Sequence, residues 1–191
     1  MIKNKIYFSF LLLLLFVVAC KQNYYPKPTG YLRTDFPEKQ YRLFDTAFPY
    51  RFEYPVYCFI EPDRDKNAEP YWINIVFPLL KGKIHISYKK LHDNLPALSE
   101  DARTLAYKHT VKAEAIDEVL IRHPEKKVYG ILYDIRGNVA SSIQFTLTDS
   151  CRHFLRASLY FYVRPNQDSL MPALKFCRTD IEHLIETFSW K

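Results

Sequence analysis

Two hydrophobic periods alternate along most of this chain and predict its elements. Over residues 50–60 apolar side chains fall on every second position (Phe52, Tyr54, Val56, Cys58, Ile60), with Arg51 and Glu53 opposite, the pattern of a half-buried strand. The polar stretch EPDRDKNAEP ends it at residue 70. Ile73, Ile75 and Phe77 alternate next, then Ile84, Ile86 and Tyr88, with residues 78–82 as the turn of a hairpin. Ser99 is placed to cap a helix, with Glu100 and Asp101 in the favourable first turn and Ala102, Leu105, Ala106 and His109 on one face. That helical period can be carried through Ala113, Ile116 and Leu120. Val119, Leu120 and Ile121 are contiguous and partly β-branched, however, so a break near Lys112 and a strand over 115–123 is the preferred reading.

The second half is more regular. Residues 128–135 and 139–147 flank Arg136-Gly137-Asn138, a tight hairpin connection. Val139, Ser141, Ile143, Phe145 and Leu147 share one face of the second strand. His153, Leu155, Ala157, Leu159, Phe161 and Val163 then alternate opposite Arg152, Arg156 and Ser158, and Cys151 continues the first parity. Asp168 or Ser169 is placed to cap a final helix, whose Leu170, Leu174, Cys177, Ile181, Leu184, Ile185 and Phe188 form a core-facing stripe. The order β-β-β-α-β-β-β-β-α, joined by short turns, predicts the α+β class. The expectation is a mostly antiparallel sheet of about six to seven strands covered by two helices.

Upstream of residue 49 neither period holds. Residues 6–18 form an apolar run behind Lys3 and Lys5, too short to span a bilayer, which takes roughly 20 residues. A charged start, a short apolar core and Val17-Val18-Ala19-Cys20 match an export signal ending in a bacterial lipobox. The expected organisation is a leader over 1–19, a lipidated arm over 20–48 and one domain over 49–191. Acyl chains on Cys20 would hold the protein at a membrane, where a single chain is marginal. The arm is unusual for a tether. Pro26, Pro28 and Pro37 keep it extended, yet it carries Tyr24, Tyr25, Tyr31, Phe36 and Tyr41, and disordered tethers are poor in aromatics. Those five rings are the candidate partner-binding residues, on an arm lying against its own domain or against a partner.

Charge and cysteine content narrow the partners. The formal charge is +6, and loss of Lys3 and Lys5 with the leader takes two from that, with no basic stripe. Nucleic acid is not an expected partner. Cys58, Cys151 and Cys177 each fall on an apolar parity, which favours three buried free thiols over one disulfide and an odd thiol. Asp149-Ser150-Cys151-Arg152-His153 gathers nucleophiles, base and carboxylate within five residues. On a strand, though, Ser150 and His153 point to opposite faces, and no Gly-x-Ser-x-Gly elbow surrounds the serine. The six histidines make no zinc-binding pair on one helix face, and no glycine-rich phosphate cradle is present. No catalytic residue, metal or cofactor is assigned, and a non-enzymatic role is expected. A serine hydrolase built on Ser150 is a distant alternative. Fifteen tyrosines, fourteen phenylalanines and two tryptophans supply ample ring surface for a core or an interface.

Several word-like stretches carry a resemblance. After the lipobox come NYYPKPTGYLRTDFPEKQY, LAYKHTVKAEAIDE, HPEKKVYGILYDIRGNVASSIQFTLTDS, HFLRASLYFYVRPNQDSL and a terminal amphipathic helix. In that order they resemble the gliding motility lipoprotein family GldD of the Bacteroidota over essentially the whole mature chain. The resemblance implies an envelope lipoprotein needed for gliding, linked to type IX protein secretion, with other gliding and secretion envelope proteins as partners and no established catalytic residues. Only Cys20 is carried over as a site. The layer order also resembles the PsbP/Mog1-like sandwich, which implies fold and not function. Surface-exported lipoproteins of that phylum tend to carry acids just after the cysteine, so Lys21-Gln22-Asn23, with Asp35 the first acid, imply a periplasm-facing anchor; between the two membranes the outer is favoured modestly, on no residue of this stretch. The alternative function is a periplasmic carrier or sensor of a small hydrophobic ligand.

Overall fold

A computed structural model describes residues 35–163 and 166–191, without the side chains of His109 and Gln167. Of the positions singled out above, Cys20, Tyr24, Tyr25 and Tyr31 lie outside the described residues. Among the described residues, ten strands and two α-helices follow in the order β1 (Tyr41–Phe44), β2 (Tyr50–Pro55), β3 (Phe59–Pro62), β4 (Ile73–Phe77), β5 (Gly82–Lys90), α1 (Leu95–Tyr107), β6 (Ala113–His123), β7 (Val128–Gly137), β8 (Ile143–Thr148), β9 (His153–Phe161), α2 (Gln167–Thr187) and β10 (Ser189–Trp190). Seven strands form one antiparallel sheet in the order β3-β4-β5-β9-β8-β7-β6. Three form a smaller antiparallel sheet, β1-β2-β10. The expected α+β architecture is what the chain adopts.

The pattern of alternation explains the main core. Ile73, Ile75 and Phe77 of β4, Ile84 and Ile86 of β5, Phe145 and Leu147 of β8, and Leu155, Ala157 and Leu159 of β9 are all at most 3% exposed. They share one face, against which Cys177, Ile181, Leu184 and Phe188 of the α2 stripe pack, together with Tyr50 and Phe52 of β2. The helix α2 and the small sheet therefore lie side by side over that face. The other face is covered only in part. Its α1 packs Ala102 against Phe154 and Leu91, and Ala106 against Tyr133, Ile135 and Val139.

Two turns of the large sheet use one device. Pro78 and Pro124 open short 3₁₀ turns, closed by Lys81 (φ 48°) and Lys127 (φ 51°) in the left-handed region, whose N–H groups donate to the Pro78 and Pro124 carbonyls. The preferred break before β6 is also present, a 3₁₀ turn over Lys108–Val111.

Several expectations are corrected. The single strand over 50–60 is two strands in different sheets. Pro55 has no N–H for a ladder, the chain turns after it, and Val56 is 43% exposed. The helix α1 starts at Leu95 behind Asn94, with Pro96 in its first turn, so Ser99 is interior and Leu105 is exposed. In α2 the cap is Asn166, whose Oδ1 accepts the Ser169 N–H at 3.1 Å, in place of Asp168 or Ser169. The hairpin after β7 is longer than three residues, because β8 begins at Ile143; Val139 and Ser141 are buried without being strand. Cys58 and Cys177 are buried free thiols, but Cys151 is exposed in the turn before β9. Within the segment expected as the arm, Tyr41–Phe44 form strand β1, paired with β2.

Candidate functional site

The helix α2 carries a second stripe at the same 3.6-residue spacing as its apolar one: Phe176, Asp180, His183 and Thr187. It faces β2 and the segment before β1. Asp180 is the buried acid of this face, 2% exposed. Its Oδ1 receives Lys39 Nζ at 2.7 Å and the Tyr41 hydroxyl at 3.0 Å, and its Oδ2 receives the Tyr57 hydroxyl at 2.7 Å. Lys39 also donates to the Phe176 carbonyl at 2.8 Å, and its ammonium sits 3.3 Å from the centroid of the Phe176 ring. Phe36 stacks on Phe176 at 4.4 Å and Tyr41 on His183 at 3.6 Å. The imidazole of His183 in turn meets Glu53 of β2 at 2.7 Å. Two of the five aromatic arm residues, Phe36 and Tyr41, are thus placed on the domain's own helix.

The electrostatics suit a latch. Burial and then the negative charge of Asp180 push the Tyr41 phenol up to about 12. Burial and the hydrogen bond to Asp180 push Tyr57 up as well, so both remain neutral donors. Burial, reinforced by Asp180, pushes the Cys58 thiol up to about 12 and raises Cys177 too. Thiols held neutral are poor nucleophiles. Lysine, two phenols and a carboxylate here satisfy one another, which fixes the segment 35–41 to α2. Sequence reading found Phe36 and Tyr41 but missed Lys39 and Asp180; the signal available was the polar stripe Phe176-Asp180-His183-Thr187 on the final helix.

A second concentration of polar groups lies on the part of the large sheet that α1 leaves open. Strand register sets Glu61, Asn74, His85, Ser158 and Gln144 in one row across β3, β4, β5, β9 and β8. Ser87 and Arg156 form the next row. Two adjoining hollows of about 470 and 380 Å³ open over them, sharing Asp63, Asp65 and His85. Lys83 and Glu61 pair at 2.8 Å on one rim, and burial, with Lys83 beside it, pushes the His85 imidazole below its usual value.

The cluster at residues 149–153 is a turn. Oδ1 of Asp149 accepts the backbone N–H groups of Cys151, Arg152 and His153 at 3.0, 2.8 and 2.8 Å. The His153 ring meets the Tyr88 hydroxyl at 2.7 Å and stacks on Trp190. Carboxylate and imidazole are therefore both engaged with groups other than Ser150. An apolar pocket beside Phe77, Leu80 and Phe176 has room for about 10 Å³, the scale of one water. Among the described residues no helix is long and apolar enough to cross a membrane.

Comparison with known proteins bears on both family and fold. Residues 21–190 match the family described as gliding motility lipoprotein GldD. In solved structures the chain is similar to cyanobacterial PsbP (CyanoP) from Synechocystis sp. PCC 6803, determined in solution. That similarity has 12% identity and a TM-score of 0.52, and covers 87% of this chain and 99% of that one. At that identity it shows the α+β sandwich fold alone. No match was found among curated proteins.

Proposed function

The chain belongs to the gliding motility lipoprotein GldD family, and from that premise we propose that it is a non-enzymatic assembly component of a gliding machine tied to type IX protein secretion. Family membership associates it with the cell envelope as a lipoprotein. The finer reading is that acyl chains on Cys20 anchor it, facing the periplasm and favouring the outer membrane, with other envelope proteins of the machine as its partners.

The match over residues 21–190 carries this reading, since it begins one residue after the lipobox cysteine and runs to the end of the domain. The latch supports it. Lys39, Tyr41 and Asp180 tie the chain to the domain's helix, and roughly 15 residues from Cys20 to Asp35 reach at most about 50 Å at full extension. The domain would thus be held near the membrane by a short, fastened connection. Aromatic residues upstream, Tyr24, Tyr25 and Tyr31, are the proposed contact surface for a partner.

The test is the surface and secreted proteome of a strain lacking the gene, with colony spreading scored beside it. Loss of spreading together with loss of secreted cargo is the expected outcome. Lost spreading with normal cargo would confine the protein to motility. Normal spreading with normal cargo would contradict the reading.

A further inference from the structure

We infer that the open face of the large sheet is a saccharide-binding groove, with Asn74 at its floor. Asn74 lines the larger hollow, is only 3% exposed, and its Oδ1 has no hydrogen-bond partner. A buried acceptor left unpaired is unfavourable, so in a native protein such a group calls for an explanation, and a bound partner is one. The strand ladder fixes its position between Glu61 and His85, and so holds the residue rigidly in the floor of the groove.

The surroundings select the chemistry. Asp63 and Asp65 each spend Oδ1 on a backbone N–H two residues on, which holds their carboxylates at the rim in fixed orientations. Arg156 lines the adjoining hollow with no carboxylate pairing to it among the described residues, its guanidinium braced at 2.6 Å by Gln144 Oε1. Gln144 is itself 1% exposed with Nε2 unpaired. Trp72 and Tyr160 supply ring surface in the same hollow. Three acids (Glu61, Asp63, Asp65) face three bases (Arg64, Lys83, Arg156), so the groove has no net charge with which to attract a polyion.

A ligand that fits offers many hydroxyls, each both donor and acceptor, and an apolar face for the rings. Sugars have that combination. Rows on adjacent strands are about 4.8 Å apart, so the polar row from Asn74 across His85 to Ser158 spans about 10 Å, the length of a disaccharide.

Isothermal titration of the purified full-length chain in detergent with chitobiose, maltose and cellobiose tests this, with inorganic phosphate as the rival probe. Saturable binding of at least one disaccharide is expected. Asn74→Leu should weaken it at least about tenfold, the loss of roughly one hydrogen bond, while leaving the melting temperature unchanged or higher because an unpaired polar group is removed. Asp63→Asn at the rim should weaken it several-fold with the fold intact. Failure of all three sugars to bind, equal binding by the Asn74→Leu chain, or binding of phosphate alone would overturn the proposal.

Discussion

Replacing Lys39 by methionine should lower folding stability by about 3 kcal/mol, the low end of what breaking a buried ion pair removes. The reasoning turns on asymmetry of burial. The side chain of Asp180 is 1% exposed and that of Lys39 28% exposed. Without the ammonium, the Asp180 carboxyl loses its charge partner in a site that water does not reach, leaving only the Tyr41 and Tyr57 hydroxyls beside it. Removing Asp180's charge instead is milder, because Lys39 can turn toward water. Asp180→Asn should therefore lose less than Lys39→Met, and the double variant should regain stability relative to Lys39→Met alone. Thermal unfolding reads this directly: about 3 kcal/mol in a domain of this size lowers the melting temperature by roughly 6–12 °C. A Lys39→Met chain that melts with the wild type would show that the latch does not contribute to stability.

The second large effect is at Gly130. It sits in β7 between Ile121 of β6 and Leu147 of β8, with ladder pairing on both sides. A Cβ there would lie 1.8 Å from the Thr146 carbonyl oxygen. That obstacle is backbone within a seven-stranded sheet, so no rotamer change relieves it. Gly130→Ala should disrupt the β7–β8 pairing and destabilise by about 3 kcal/mol or more, at or beyond the upper end of ordinary overpacking. The measurement is urea unfolding monitored by circular dichroism, and a midpoint equal to wild type would refute the close approach. Gly137 carries a different requirement, a φ of 121° that side chains rarely adopt, with the Lys112 carbonyl 2.5 Å from its would-be Cβ.

These two sites illustrate what was legible in the sequence. The large sheet could be read because its inner face alternates strictly: Ile84-Ile86 and Leu155-Ala157-Leu159 each announce a strand by parity alone. Gly137 was visible as a turn residue. Gly130 was not, because its constraint comes from a neighbouring strand and not from its own segment. Short pieces were missed for a related reason. Tyr41–Phe44 and Ser189–Trp190 are too brief to show a period, and exist because β2 offers them an edge on each side. The same holds for Pro55, where alternation in side-chain character ran on past the point at which the backbone could still pair.

The candidate sites were legible by half. Phe36 and Tyr41 drew notice as rings in a proline-rich segment, but nothing in the local pattern of the final helix marked Asp180 as buried. Its burial follows from a long-range return of residues 35–44 onto α2, which no local pattern encodes. The polar row on the open sheet face is likewise not marked by any local pattern. Only the strand register, which sets Asn74 beside His85 and His85 beside Ser158, brings those side chains together.

The central claim is that this domain works at the membrane through its anchor on Cys20. The most direct measurement restores the gene to a deletion strain with Cys20→Ala and compares colony spreading, surface cargo and membrane fractionation with the wild-type gene. The folded domain should be unchanged, since Cys20 lies outside the strands and helices described above. The account predicts a chain lost from the membrane fraction and a failure to restore spreading and cargo. Full restoration by an unanchored chain would contradict it.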